Sequence, residues 1–254
     1  MCIDLFQDST SMSDSGRCPC QRTRFGLSRR GFLKVGAAAG LLSSFALPAF
    51  AQDAMPTPNS IAPDEALKRL MDGNARYVGN TPNNKDFSAG RAARAAAQYP
   101  IAGLVSCADS RVAPEIAFDQ GLGDLFVVRV AGNFVQTDGL ASLEYGVKVL
   151  GMPLIMVLGH TNCGAIAATI KVMQENIVLP GHLPSLVDAI RPAVEIAEKA
   201  KPANLLDAAI AENVRYNVTK LQKATPIISE FVAKGKVKIV GAVYDIASGT
   251  VKMV

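Results

Sequence analysis

The chain has no tryptophan, no visible internal repeat, little excess of either charge and no apolar run long enough to cross a bilayer. The longest stretch of small apolar residues, Val35 to Leu47, spans 13 positions rich in Gly, Ala and Ser. That is short of the roughly 18 to 20 residues that a spanning helix requires, which argues against an uncleaved membrane anchor. Cysteine is scarce as well, with five in 254 residues, and histidine is limited to His160 and His182.

What precedes the apolar stretch gives it a different meaning. Ser28-Arg29-Arg30-Gly31-Phe32-Leu33-Lys34 carries paired arginines, and Ala49-Phe50-Ala51 offers a small-residue cleavage site. Residues 1–51 therefore resemble a twin-arginine signal peptide, with either Met1 or Met12 as the start. The expectation is export by the twin-arginine machinery, cleavage after Ala51 and a periplasmic mature protein. Residues 52–60, with two prolines, read as a linker or arm, and 61–254 as one domain large enough for a sizeable core.

Removal of the leader changes the charge and the cysteine count. It takes six of 26 basic and three of 22 acidic residues, leaving 20 against 19 and a net charge of +1. So near-neutral a chain gives no electrostatic case for a nucleic-acid partner. Cys2, Cys18 and Cys20 go with the leader, so Cys18-Pro19-Cys20 is not a redox motif of the mature protein. Cys107 and Cys163 remain. In an oxidising compartment they could pair as a disulfide. Twin-arginine export carries folded proteins, however, so a metal loaded before export would already hold both sulfurs as thiolates.

Both cysteines sit in the same local grammar. Leu154-Ile155-Met156-Val157-Leu158, an apolar run with β-branched residues, leads into Gly159-His160-Thr161-Asn162-Cys163-Gly164. Ile101-Ala102-Gly103-Leu104-Val105 leads likewise into Ser106-Cys107-Ala108-Asp109-Ser110-Arg111. Each reads as a buried strand delivering side chains at its carboxyl end. Two thiolates and one imidazole form a Cys₂His set, which on zinc leaves a fourth position open for water or substrate. One catalytic zinc ion per chain is expected.

In chain order, Pro63 to Val78 carries the first helix signals: Pro63 at the first position, Asp64 and Glu65 near the positive end of the dipole, and a stripe through Ala66, Leu67, Leu70, Met71, Asn74 and Tyr77. Gly79-Asn80 stops it. Turns through Thr81-Pro82-Asn83-Asn84 precede an alanine-rich helix, Ala89 to Gln98. Strands follow at Ile101 to Val105, Leu125 to Val130 and Leu154 to Leu158, with helices from about Asp138 to Leu150 and from Ala165. The first two strands are separated by a glycine-broken segment to Gly123. Helical spacing over Leu183 to Lys199 and Leu205 to Gln222 reads as scaffold. A strand at Lys236 to Ile246 turns through Ala247-Ser248-Gly249 into a closing antiparallel strand, Thr250 to Val254. The class is α/β: a parallel sheet with helices on both faces, a carboxyl-terminal antiparallel edge strand, and ligands gathered at the carboxyl ends of the strands.

Cys107-Ala108-Asp109-Ser110-Arg111, followed by Gly159-His160-Thr161-Asn162-Cys163-Gly164, resembles the paired signature of the β-class carbonic anhydrases, and the resemblance runs from about Ala62 to Val254. It implies that Cys107, His160 and Cys163 bind zinc and that Asp109 and Arg111 form a catalytic carboxylate–guanidinium pair. It puts Gln98 on the substrate-binding amide, and Phe126 and Tyr145 on aromatics lining a cleft, often across a dimer interface. The implied reaction is reversible hydration of carbon dioxide to bicarbonate and a proton by zinc-hydroxide attack. Asp109 would accept the hydroxide's proton in a hydrogen bond, leaving its lone pair aimed at carbon dioxide, and Gln98 and the backbone N–H groups near Gly164 would hold the bicarbonate oxygens. A homodimer or homotetramer is also implied.

In one subgroup of that family the aspartate itself ligates zinc at low pH, with bicarbonate bound nearby. Its members tend to carry tryptophan three residues, and glycine one residue, before the first cysteine, where this chain has Leu104 and Ser106. Arg129 matches the arginine of the bicarbonate pocket. The expectation is an open site at neutral pH, with Asp109 off the metal. Two other functions stay open: hydrolysis of carbonyl sulfide or carbon disulfide on the same site, and a non-catalytic zinc protein in which His182 closes a Cys₂His₂ set.

Overall fold

The structure, a computed structural model, describes residues 61–83 and 91–254. The leader, the arm at 52–60, Asn84 and the start of the alanine-rich helix lie outside the described residues. Among the described residues no helix is long and apolar enough to cross a membrane.

Five strands form one sheet: β1 (Ala102–Ser106), β2 (Leu125–Arg129), β3 (Leu154–His160), β4 (Lys238–Tyr244) and β5 (Val251–Met253), in the order β2-β1-β3-β4-β5. The first four run parallel, and β5 returns antiparallel on β4. All five positions of β1 and all seven of β3 are buried, as expected of central parallel strands covered on both faces. Alternate side chains serve two cores. Leu104, Met156, Leu158 and Ala242 pack with Ala66 and Leu70 of α1 (Pro63–Val78) and Ala117 of α3 (Pro114–Ala117). Val105, Ile155, Val157 and Ile239 pack on the other face with α4 (Thr137–Lys148), α7 (Leu205–Gln222) and α8 (Ile227–Ala233). α2 (Arg91–Ala96) precedes β1, α5 (Gly164–Glu175) follows β3, and α6 (Leu183–Lys199) packs between α5 and α7.

The expected α/β architecture is present, including the antiparallel edge. The helices at Pro63–Val78, Leu183–Lys199 and Leu205–Gln222 have the bounds that their periodicity gives. β4 is shorter than the apolar run suggests, and α3 and α8, of four and seven residues, add helix where the sequence reading placed none. A one-turn helix has no room for an i, i+3, i+4, i+7 pattern, so nothing periodic announces α3.

One side chain ties the ends of the domain together. Asn74, buried on α1, donates through Nδ2 to Ala117 O at 2.9 Å and to Gly249 O at 2.8 Å, and accepts from Val251 N–H at 2.9 Å. The β4–β5 hairpin is thereby fixed against α1 and α3.

Candidate metal centre

β1 and β3 are neighbours, with Ser106 opposite Leu158. Cys107 therefore leaves the end of β1 beside His160, the last residue of β3. A short turn with Asn162 in the left-handed region (φ 54°) brings Cys163 to the position capping α5. The two sulfurs and an imidazole nitrogen all lie within 4.8 Å of one another, and all three residues are buried. No disulfide joins the cysteines.

The donor set fits a metal ion on grounds internal to the structure. His160 Nδ1 lies 2.9 Å from Thr161 O, the arrangement in which Nδ1–H donates to a carbonyl and Nε2 keeps its lone pair. Nε2 is buried without a hydrogen-bond partner, an expensive condition unless it ligates something. The thiols are in similar tension. Contact with the Cys163 thiol pulls Cys107 down against burial, helped by His160 and the Gly132 N–H, which donates to Sγ at 3.2 Å. The same contact and burial push Cys163 up, because a second thiolate cannot form beside the first. Burial opposes protonation of His160, and the neighbouring Cys107 outweighs it, so the imidazole is raised. A divalent cation among these three atoms removes the conflict.

Asp109 stands at the rim. Arg111 donates through Nε to Oδ1 at 2.9 Å and through Nη2 to Oδ2 at 2.7 Å, and its backbone N–H adds a bond to Oδ1 at 3.0 Å. This two-pronged grip holds the carboxyl well below the usual carboxylate range, burial notwithstanding. Asp109 Oδ2 is 3.8 Å from His160 Nε2. Arg129, on β2, spends its guanidinium on the main chain, donating to Cys107 O and to Asp109 O, each at 2.8 Å.

Of the remaining candidates, Gly164 adjoins the cluster, next in the chain to Cys163. Gly164 opens α5, with nothing within 4 Å of where a side chain would begin. Gln98 is exposed between α2 and β1. Phe126 is half-buried against the α4 side of the sheet, and Tyr145 on α4 is 47% exposed. His182 is exposed at the amino end of α6 and is not part of the cluster, so the geometry does not favour a closed Cys₂His₂ set. Reading the sequence missed the Gly132 amide on Cys107 Sγ. Only the glycine before Asn133 hinted at a special backbone there, and a backbone donor leaves no motif.

A family model described as carbonic anhydrase matches residues 102–251, more than half of the chain. The chain is 42% identical over 200 residues to a carbonic anhydrase of Mycolicibacterium smegmatis, covering 78% of this chain and 95% of that one. It belongs to the β-class carbonic anhydrase family. Among solved structures, the Coccomyxa β-carbonic anhydrase in complex with acetazolamide superposes with a TM-score of 0.59 at 29% identity, covering 74% of this chain and 86% of that one. A tetrameric β-carbonic anhydrase of Sordaria macrospora also has a TM-score of 0.59, covering 75% and 97%; at 21% identity it shares the fold. Members of this family are zinc enzymes, and the Cys107–His160–Cys163 cluster is where a carbonic anhydrase of this sequence could hold its metal.

Proposed function

We propose that the protein hydrates carbon dioxide reversibly, CO₂ + H₂O ⇌ HCO₃⁻ + H⁺, with one zinc ion per chain held by Cys107, His160 and Cys163. The observation that carries this reading is the buried, partnerless Nε2 of His160, on an imidazole that has a nitrogen within 4.8 Å of two sulfurs. Bound there, zinc supplies a Lewis acid that brings a water molecule in its open position toward ionisation at neutral pH. The rest falls to the chain. Asp109, kept ionised by Arg111, accepts a hydrogen bond from the attacking water and turns its free lone pair toward carbon dioxide. Arg111 keeps the carboxylate off the metal, and Arg129 holds the main chain of Cys107 and Asp109 in place. The amides that open α5 beside Gly164, and Gln98, receive the bicarbonate oxygens. Phe126 and Tyr145 line the cleft across a dimer interface.

We also propose that residues 1–51 export the folded enzyme to the periplasm. Ser28-Arg29-Arg30 and Ala49-Phe50-Ala51 support this reading. A homodimer or homotetramer is supported by the tetrameric Sordaria neighbour and by β2, an edge strand whose residues are only half-covered.

Stopped-flow carbon dioxide hydration with zinc content quantified tests the reaction. Turnover proportional to zinc is expected. Stoichiometric zinc without turnover would overturn the reading, and carbonyl sulfide would be the next substrate to try.

A further inference from the structure

Behind Cys107 a chain of hydrogen bonds ends on α7. Gly132, whose N–H donates to Cys107 Sγ at 3.2 Å, offers its own carbonyl to Asn213 Nδ2 at 2.8 Å. Asn217 Nδ2 donates to Asn213 O at 2.8 Å and to Asn213 Oδ1 at 3.3 Å, and Asn217 Oδ1 accepts Val135 N–H at 2.9 Å. Lys220 Nζ donates to Val135 O at 2.7 Å. Positions 213, 217 and 220 share one helix face, so α7 grips the loop after β2 at two points.

The two asparagines are buried with their amides engaged. A satisfied buried network of this kind rigidifies what it holds. Gly132 needs such holding. Its φ of +87° is open to glycine, and a Cβ there would come within 2.6 Å of Ile190 Cδ1, so no side chain of its own can fix the peptide.

We propose that Asn213 is a positioning residue for the Cys107 ligand: by pinning the Gly132 carbonyl it keeps the Gly132 N–H on the sulfur and so sets how firmly the cluster holds its metal. Asn213 hydrogen-bonds to Gly132 and not to the sulfur, so it acts through the Gly132 peptide. Outer partners of this kind orient a ligand and moderate the charge it donates. The inference rests on the metal site proposed above.

The test compares full-length wild type with Asn213→Ala, Asn213→Asp and Leu221→Ala. Leu221 is a buried α7 residue that packs on the α4 side of the sheet, so its truncation loosens the helix without touching Gly132. Zinc affinity is read by chelator competition, and the cobalt-substituted protein is read by its thiolate-to-metal charge-transfer band. Asn213→Ala is expected to lose roughly tenfold in zinc affinity, within the usual range for an outer-shell partner, and to shift the band to lower energy, because an unbonded thiolate is the better electron donor. Leu221→Ala is expected to unfold at lower temperature with affinity and band unchanged. Asn213→Asp keeps the size of the side chain and an oxygen toward Asn217, and it carries the same readouts if the alanine variant does not fold. Wild-type affinity and band in the Asn213 variants, or the same changes in Leu221→Ala, overturn the inference. A wild-type chain that binds no zinc overturns the metal site itself, which is a distinguishable result.

Discussion

Arg111 holds Asp109 at both carboxylate oxygens, at 2.9 and 2.7 Å, from two residues away along the same loop. The pair is short-range in sequence and two-pronged in space, so the carboxylate has one orientation, with Oδ2 turned toward His160. If Asp109 orients the attacking water, Asp109→Asn removes the charge and one of the two acceptor oxygens and keeps the shape. A loss of about 10²- to 10⁴-fold in kcat/KM is expected, the usual worth of a positioned acid–base group, with zinc content unchanged. Stopped-flow hydration alongside metal analysis checks both halves; an active Asp109→Asn enzyme would remove the aspartate from the mechanism.

Zinc affinity should climb with pH. Cys163 is pushed up by the neighbouring Cys107 and by burial, so its thiol carries a proton across the neutral range that the metal must displace. His160 is raised through Cys107 and adds a second proton on the acid side. Protons bound to the free site compete with zinc, so affinity falls as pH falls: by about tenfold per unit where only Cys163 gives up a proton, and approaching 100-fold per unit where His160 does too. Chelator competition between pH 6 and 8 measures the slope, and a flat profile would contradict the thiol pairing described here.

Much of this molecule was legible from its residues. The two apolar runs ending in Cys107 and in His160 told of strands delivering ligands, because burial on both faces leaves the strand end as the place for chemistry. The three long amphipathic helices declared their own bounds by periodicity. Three kinds of feature stayed hidden. α3 is a single turn, too short to have a period. Asn74 reads as one position of a helical stripe, and nothing local reveals its bonds to Gly249 and Val251, far along the chain. The amide of Gly132 on Cys107 Sγ is a backbone contact set by the turn after β2, and Asn213, which holds it, looks like any polar residue in a scaffold helix.

Asn74 offers a stability test independent of the metal. Asn74→Ala leaves the Ala117 and Gly249 carbonyls and the Val251 amide without their partner in a buried setting. At about 1 to 3 kcal/mol for a stranded buried group, and with partial relaxation, a loss of roughly 2 to 4 kcal/mol is expected. Urea unfolding of wild type and variant at pH 7 measures it. Asn74→Asp keeps the acceptor for Val251 and loses the two donated bonds, so it should also be destabilised.

Two arginines bear on whether the site is open at neutral pH. In the family's closing subgroup the aspartate moves onto the metal while an arginine helps to bind bicarbonate. Here the Arg111 fork occupies both oxygens of Asp109, and the Arg129 Nε and Nη2 groups are spent on the carbonyls of Cys107 and Asp109. Ser106, where that subgroup has glycine, buries its hydroxyl in the same wall without a partner. Closing would break two charge-assisted bonds at Asp109, and an anion at Arg129 is left only the N–H groups not already given to the two carbonyls. The expected result is an enzyme whose metal lacks an aspartate ligand at pH 7 and whose activity declines smoothly rather than switching off toward pH 6.5. X-ray absorption of the zinc-loaded protein at pH 7, with and without added bicarbonate, decides it: a carboxylate oxygen at roughly 2.0 to 2.2 Å that disappears in Asp109→Asn would show the site shut. Arg111→Ala is then the variant expected to let Asp109 reach the metal, since it removes the grip and leaves the carboxylate beside His160.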